Sequence, residues 1–176
     1  MSERFKDCSK ISEIDWLHWR PVDYATLIFY VKQNQVLLIR KKRGLGEGKI
    51  NAPGGRLEQG ESSISAAVRE CQEEVGLTPI APKFIGDHRF QFSNGYSMHV
   101  FVYHCTSAVG DLTETDEAIP LWFDLHKIPY SEMWADDILW VPLTLDEQPF
   151  RGKYIFRGDD MIAYEVNQCS PFIPER

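Results

Sequence analysis

Three glutamates, Glu70, Glu73 and Glu74, stand at positions i, i+3 and i+4 of one short stretch. If that stretch is helical, the three carboxylates share a face that points away from the apolar stripe. Like charges at these spacings destabilise an isolated helix by about 0.2–0.5 kcal/mol per pair. A hard divalent cation such as Mg²⁺, which prefers carboxylate and carbonyl oxygens, would offset this repulsion. The alternative interpretation is a solvated acidic helix face.

The residues that flank the glutamates predict this helix. Ser62 or Ser63 can cap its first backbone N–H groups, and Gly76 favours the left-handed conformation at which helices end. We therefore predict a helix from about Ser62 to Val75. Before it, Gly54 and Gly55 allow a close backbone approach, so that a carbonyl can join the metal ligands. The predicted buried stripe of the helix consists of Ile64, Ala67, Val68, Cys71 and Val75.

The whole segment resembles the Nudix box of hydrolases that act on nucleoside diphosphate-linked compounds. Five residues separate Gly55 from Glu61, and seven more separate Glu61 from Arg69. Cys71 departs from the family, which usually has a larger aliphatic residue there, although cysteine is also a small and commonly buried hydrophobe. The residues that carry the resemblance are Gly55, Glu61, Arg69, Glu70, Glu73, Glu74, Gly76 and Leu77.

The resemblance implies a metal-dependent hydrolase and a role for each polar residue of the box. Mg²⁺ is the expected cofactor, and Mn²⁺ is a possible alternative. Arg69 is expected to orient Glu73 through an i, i+4 ion pair, and Glu61 to support the ligands from the start of the helix. The general base stays open between Glu74 and Glu117. The implied metal ligands are Gly54 through its carbonyl, Glu70, Glu73, Glu74 and Glu117, and the implied catalytic residues are Glu61, Arg69, Glu73, Glu74 and Glu117.

The rest of the chain predicts an α/β fold. Tyr24–Val31 with Gln35–Ile39, and Phe84–Phe92 with Tyr96–Cys105, are β-branched and aromatic runs that read as two hairpins. A short strand over Ile119–Phe123, a short or broken helix near Pro142, and a last hairpin over residues 154–166 follow. Strand pairs around helices indicate a mixed sheet. The resemblance implies an α/β/α sandwich in which the box helix packs against the sheet.

Length and composition favour a single domain. The chain has 176 residues, of which 43% are hydrophobic, enough for a substantial core. We predict an N-terminal arm over residues 1–23 and a Nudix domain over residues 24–176. Trp16 and Trp19 favour at least partial packing of the arm, which could otherwise be a flexible leader.

Charge and hydropathy restrict the partners. The net charge of −7 argues against a broad nucleic-acid surface, so we expect no stable nucleic-acid partner. No apolar run approaches the ~20 residues of a membrane span, and the polar N-terminus lacks the apolar core of a signal peptide. We expect a cytoplasmic protein, monomeric or homodimeric. The four scattered cysteines, without metal-ligand spacing, are expected to be free thiols.

Outside the box, residues 24–166 resemble the MutT-type hydrolases of oxidised purine nucleoside triphosphates. The resemblance rests on the sequences KKRG from Lys41, TDE ending at Glu117, WF at Trp122, and MWADDILWVPL from Met133. It implies that Trp134 stacks on a purine ring and that Asp136 and Asp137 bind the edge of that ring. The implied substrate-binding residues are Thr26, Lys41, Asn51, Phe90, Trp134, Asp136 and Asp137. Without the resemblance, the tryptophan would be an ordinary core residue and the aspartates a helix start.

The two aspartates could also explain the choice of base. Two neighbouring carboxylates in a half-apolar pocket cannot both ionise without a large cost, so one can keep its proton and donate a hydrogen bond. The implied reaction is hydrolysis of an oxidised purine nucleoside triphosphate such as 8-oxo-dGTP to the monophosphate and pyrophosphate. Leu45 and Ala52-Pro53 depart from the related sequences, which bears on substrate preference. Other substrates, such as other nucleoside triphosphates, a nucleotide sugar or an RNA 5′ end, and a nucleotide-sensing module without catalysis are the alternatives.

Overall fold

The computed structural model describes residues 7–174. The first six residues of the predicted arm lie outside the described residues. The two α-helices are α1, Ser63–Val75, and α2, Asp137–Leu145, and short 3₁₀ helices span Ile11–Glu13 and Tyr130–Glu132. The strands are β1, Asp23–Lys32; β2, Gln35–Lys41; β3, Ile50–Asn51; β4, Leu77–Pro79; β5, Lys83–Phe92; β6, Ser97–Cys105; β7, Ala108–Gly110; β8, Ala118–Asp124; β9, Phe150–Arg157; and β10, Asp160–Gln168.

Eight strands form one mixed sheet in the order β10-β9-β5-β6-β1-β2-β3, with β8 paired along β2. The pairs β1–β6 and β5–β9 are parallel, and the other pairs in this sheet are antiparallel. The three predicted hairpins, the short strand at Ile119–Phe123 and the mixed sheet are confirmed. Three short strands, β3, β4 and β7, were not predicted, because strands of two or three residues carry too little periodicity to be recognised.

Alternate residues of the central strands belong to two separate hydrophobic cores, one on each face of the sheet. Ile28 and Leu37 pack with Ala67 and Cys71 of α1, whereas Phe29 and Leu38 pack with Trp140 of α2 and its neighbours. The two helices therefore cover opposite faces, as the predicted α/β/α sandwich requires. Within residues 7–174 no helix is both long enough and apolar enough to cross a membrane.

The box helix begins and ends where its caps predict. Between the two candidate serines, Ser62 is the cap, since its hydroxyl accepts a 3.2 Å hydrogen bond from the Ser65 amide. Gly76 ends the helix at φ 76°. The predicted buried stripe was wrong at Ile64, whose surface is 43% exposed, and Val68 is only half-buried. The buried face is rotated toward Ser63, Ala66, Ala67, Cys71, Glu74 and Val75, because the helix also packs its acidic edge against the loop that follows β3.

The described part of the arm packs on the sheet. Ile14 and Trp19 are buried against Ile155 of β9, and the indole N–H of Trp19 donates a 3.0 Å hydrogen bond to the Gln91 side chain. The arm thus shares a core with the strands, and the boundary at residue 23 stays a prediction. All four cysteines are free thiols, as predicted; burial raises the pKa of Cys71 to about 12 and that of Cys105 to about 11.

Candidate active site

A single cleft of about 540 Å³ gathers most of the predicted site residues. It lies between β1, the loop that follows β3, the acidic edge of α1 and the start of α2. The predicted residues that line it are Thr26, Lys41, Asn51, Gly54, Glu70, Glu74, Phe90, Glu117, Trp134, Asp136 and Asp137. Candidate phosphate-handling and base-handling groups therefore share one continuous cavity.

The two box glycines reach the cleft because they extend the sheet. The N-terminal half of β1 leaves β2, and the segment around Gly55 takes the place of β2 beside it. The Thr26 amide donates to the Gly55 carbonyl at 2.8 Å, and the Ile28 amide donates to the Pro53 carbonyl at 2.9 Å. A Cβ on Gly54 would lie 2.0 Å from the Thr26 carbonyl oxygen, so this approach requires glycine.

Glu74 lies beneath this glycine segment. Its residue surface is 1% exposed, and its carboxylate accepts a 2.9 Å hydrogen bond from the Gly54 amide. Lys41 Nζ lies 3.4 Å from its other oxygen. Burial raises the pKa of Glu74, while Lys41 and the Gly54 amide favour its ionised form. The Gly54 loop covers Glu74, so the alternative interpretation of a solvated acidic face does not describe this residue.

Glu70 enters the cleft over Gly55. A Cβ on Gly55 would lie 2.4 Å from the carboxyl carbon of Glu70, so only glycine leaves room for this carboxylate. Burial is the largest cause that raises the pKa of Glu70; Arg69 opposes it, and the negative charges of Glu73 and Glu117 add to it. The carboxylates at this end of the cleft thus repel one another.

Arg69 holds the carboxylates of the box together. Its guanidinium lies 2.9 Å from carboxylate oxygens of Glu61, Glu70 and Glu73, and it donates to the Arg56 carbonyl at 3.1 Å. The predicted pair between Arg69 and Glu73 is present. Glu61, Arg69 and Glu73 do not line the cleft, and the Glu73 side chain is 58% exposed. Of the three box glutamates predicted as metal ligands, Glu70 and Glu74 therefore line the cavity and Glu73 does not.

Glu117 lines the same cleft from the loop between β7 and β8, which also carries Asp111, Glu114 and Asp116. The loop is tied to α1, because the Thr115 hydroxyl donates to the Glu74 carbonyl at 2.9 Å. Glu117 forms an ion pair with Arg43, and its carbonyl accepts from the Lys42 amide at 2.8 Å. Glu117 lies 43 positions after Glu74 in the sequence, yet both residues line the same cavity.

These residues fit a divalent cation that is shared with a substrate. Among residues 7–174, no three carboxylate, histidine or cysteine side chains converge into a preformed cage of ligands. Mg²⁺ rarely uses such a cage, since it keeps several waters and bridges one or two carboxylates to phosphate oxygens. A divalent cation bound here would reduce the repulsion that Glu73 and Glu117 exert on Glu70.

The opposite end of the cleft carries Trp134, Asp136 and Asp137. Asp136 and Asp137 are buried, with 2% and 3% of their surface exposed. Asp136 accepts a 2.8 Å hydrogen bond from the indole N–H of Trp140, and Asp137 accepts one of 3.0 Å from the Trp134 amide. Asp136 and Asp137 also stand at the start of α2, as the alternative interpretation of this pair as a helix start predicted. Pro142 lies inside this helix without breaking it.

Burial governs the protonation of this aspartate pair. Loss of solvent raises the pKa of both carboxyls, and the charge of Asp136 further raises the pKa of Asp137. The Trp140 indole opposes the shift at Asp136, and Lys49 opposes it at Asp137. Both carboxyls therefore keep a proton to higher pH than an exposed aspartate would, and the two cannot both ionise without a large cost.

The remaining candidates surround the pair. Phe90 stacks on Tyr154 with ring centroids 4.8 Å apart, which fixes one apolar wall. Asn51 uses its carbonyl oxygen to accept from the Ala52 amide at 2.8 Å, which directs its amide nitrogen elsewhere. Thr26 is buried, and its hydroxyl has no hydrogen-bond partner in the described part of the chain.

Several lining residues escaped the sequence analysis. Phe92, Met98 and Phe156 face the cavity from neighbouring strands, and Trp140 closes its floor. The alternation of the strand residues can be seen in the sequence. Which face of each strand meets the cleft, however, depends on the order of the strands in the sheet. Arg43 entered the sequence-based prediction only within the sequence KKRG and was not predicted as a site residue.

Comparisons with known proteins agree with this architecture. A family model described as NUDIX domain matches residues 20–143. The chain is 45% identical over 139 residues to the oxidized purine nucleoside triphosphate hydrolase of Danio rerio, covering 78% of this chain and 89% of that protein. It is 35% identical over 149 residues to the protein of the same name from Mus musculus, covering 84% and 96%.

Among solved structures, the MutT protein of Bacillus halodurans superimposes with a TM-score of 0.76 and 25% identity, covering 83% of this chain and 98% of that one. The family match spans more than half of the chain and contains the box helix, the glycine segment and both aspartates. We conclude that this chain belongs to the Nudix family.

Proposed function

We propose that this chain hydrolyses oxidised purine nucleoside triphosphates, such as 8-oxo-dGTP, to the nucleoside monophosphate and pyrophosphate. The observation that carries the proposal is the buried Asp136–Asp137 pair in the same cleft as Glu70 and Glu74. One end of the cavity suits a purine edge, and the other suits phosphates. The two hydrolases of oxidised purine nucleotides that resemble this chain support the same substrate class.

The base end offers both kinds of hydrogen-bonding group. An ionised Asp136 accepts hydrogen bonds, and a protonated Asp137 also donates one. An 8-oxopurine presents N–H donors and carbonyl acceptors along its edges, so a mixed pair recognises it better than two ionised carboxylates could. The indole of Trp134 provides a flat surface for stacking.

The phosphate end requires a divalent metal. Nudix hydrolases generally need such an ion, usually Mg²⁺, and we propose Mg²⁺ here, with Mn²⁺ as a substitute. Glu70, Glu74 and Glu117, which line the cleft, would hold the ion with the Gly54 carbonyl, and Glu73 would act from outside the lining. When bound, it neutralises phosphate charge and lowers the pKa of an attacking water.

The chain's own groups then have separate tasks. Lys41 and Arg43 provide positive charge beside the phosphates, and Arg69 keeps Glu70 and Glu73 in their orientations. Glu74 or Glu117 accepts the proton of the attacking water. The Gly54 amide keeps one oxygen of Glu74 fixed, so the other is directed to the cavity side beside Lys41.

The test is a kinetic panel of nucleoside triphosphates with Mg²⁺, in which pyrophosphate release is measured. We expect kcat/KM to be highest for 8-oxo-dGTP or another oxidised purine, and turnover to stop in EDTA. Glu74→Gln should remove most turnover without unfolding the chain, while Glu58→Gln, an exposed control, should not. Preferred cleavage of a nucleotide sugar or an RNA 5′ end would replace the substrate class, and absence of any turnover would favour a sensing module.

A further inference from the structure

A second cleft lies on the other face of the sheet, between the N-terminal arm and strands β5, β9 and β10. We call it the arm cleft; its walls include Trp16, Arg20, Arg89, Arg151 and Lys153. Strand alternation separates it from the active site, because Arg89 lines the arm cleft while the next residue, Phe90, lines the catalytic one. The two cavities share no lining residue.

The arm cleft is basic in an acidic protein. Four cationic side chains line it against two carboxylates, although the chain carries a net charge of −7. Both carboxylates have partners: Asp87 lies 3.1 Å from the His99 ring, and Glu165 lies 2.9 Å from Lys153.

The three arginines of the arm cleft have N–H donors that their contacts do not use. Arg89 donates to the Trp16 carbonyl at 3.1 Å, Arg20 donates to the Trp19 carbonyl at 2.8 Å, and the Arg151 guanidinium lies 4.0 Å from the Phe172 ring. None of the three has a carboxylate partner among residues 7–174. Each of these contacts uses only part of a guanidinium, which has five N–H donors.

The geometry points to a binding site for a phosphate-bearing small molecule in the arm cleft. A guanidinium group can donate two parallel hydrogen bonds to the oxygens of a phosphate, and it is only weakly hydrated. Several guanidinium groups in one concave site therefore favour phosphate over a spherical anion such as chloride. The half-buried ring of Trp16 and the ring of Tyr24 add aromatic surface on which a base could stack. A long polyanion is disfavoured, because the remaining surface of the chain is negatively charged.

The arm itself completes this site. Trp16 and Arg20 belong to the arm, whereas Arg89, Arg151 and Lys153 belong to the sheet. The arm is anchored by the buried Trp19 and by the hydrogen bond between the Val22 amide and the Ser97 carbonyl at 3.1 Å. A bound phosphate would bridge the arm to β5 and β9, so binding should also raise thermal stability.

The experiment is calorimetric titration of the metal-free chain in EDTA with two probes, inorganic pyrophosphate and AMP. Without metal, the catalytic cleft presents Glu70, Glu74 and Glu117 and should bind phosphate poorly. We expect Arg151→Gln and Arg20→Gln each to weaken binding by at least about tenfold, the factor that 1.4 kcal/mol represents. Arg89→Gln is a less specific test, because it also removes the hydrogen bond that Arg89 donates to the Trp16 carbonyl.

Two controls make the result decisive. Lys32→Gln, an exposed cation in the β1–β2 hairpin, tests diffuse charge, and Arg43→Gln tests the catalytic cleft. Tighter binding of AMP than of pyrophosphate would identify a nucleoside phosphate, and equal binding would identify the phosphate group alone. The proposal is overturned if neither probe binds at millimolar concentration, if Lys32→Gln weakens binding as much as Arg151→Gln, or if only Arg43→Gln matters.

Discussion

Asp136 and Trp140 lie one helical turn apart on α2, and the Trp140 indole donates a 2.8 Å hydrogen bond to the Asp136 carboxylate. This bond favours the ionised form of Asp136, against the burial that raises the pKa of both aspartates. The negative charge of Asp136 adds to burial in raising the pKa of Asp137. The surroundings of the two aspartates thus differ, because the Trp140 indole donates a hydrogen bond to Asp136 whereas the Trp134 amide donates one to Asp137.

The first prediction separates base selection from phosphate chemistry. Asp136→Asn and Asp137→Asn should each lower kcat/KM for 8-oxo-dGTP, because a buried group left without its hydrogen bond costs about 1–3 kcal/mol, roughly 5- to 150-fold. Asp137→Asn should have the smaller effect, since an amide can still donate. The ratio of kcat/KM for 8-oxo-dGTP over dCTP is the measurement. If both substrates decline together in both variants, the aspartates are structural.

The second prediction concerns stability against pH. The raised pKa values of Asp136 and Asp137 mean that the folded chain holds protons that the unfolded chain releases. The stabilising contribution is fully present below the ordinary pKa of 3.8 and is lost as pH rises through the raised folded-state values, the first of them about 6.

Urea unfolding between pH 5 and pH 8 tests this expectation. The free energy of unfolding should fall more steeply with rising pH in the unmodified chain than in the double variant Asp136→Asn/Asp137→Asn. Asp116→Asn, an exposed control, should keep the slope of the unmodified chain. Identical slopes in all three proteins would mean that the pair titrates normally.

The third prediction follows from the contact between Gly55 and Glu70. Gly55→Ala would put a Cβ 2.4 Å from the Glu70 carboxyl carbon, so the carboxylate must move and turnover should fall at least about tenfold. Gly60→Ala is the matched control, because its added Cβ meets nothing within 4 Å. That control should lose about 1 kcal/mol of stability from its positive φ and keep its activity. Equal activity of both variants would remove Glu70 from the metal site.

The fourth prediction addresses the general base. Glu117→Gln should slow hydrolysis without preventing metal-dependent activity, because Glu70 and Glu74 still line the cleft after the change. Its exposed ion pair with Arg43 should contribute little to stability, so the thermal midpoint should stay unchanged. The comparison is kcat for Glu117→Gln against Glu114→Gln in the same loop. Unchanged turnover in Glu117→Gln would assign the base to Glu74.

The sequence by itself determined the local features of the molecule. Ser62 and Gly76 mark the ends of the box helix through capping and left-handed backbone preference, and both effects act within a few residues. Alternation in the two large hairpins is likewise a local signal. The spacing of the box residues is long enough to indicate the family, which the comparisons confirmed.

Only the tertiary structure decided which charged groups meet. Ile64 was predicted on the buried stripe and is exposed. Glu74 was predicted on the acidic face and is buried, because the Gly54 segment replaces β2 beside β1 and covers that edge of α1. A periodicity argument treats a helix as having one buried face, and it cannot register a loop that arrives from elsewhere in the sheet. The arm cleft has the same origin: Arg20, Arg89 and Arg151 are far apart in sequence, and strand order and the packing of Trp19 bring them to one cavity.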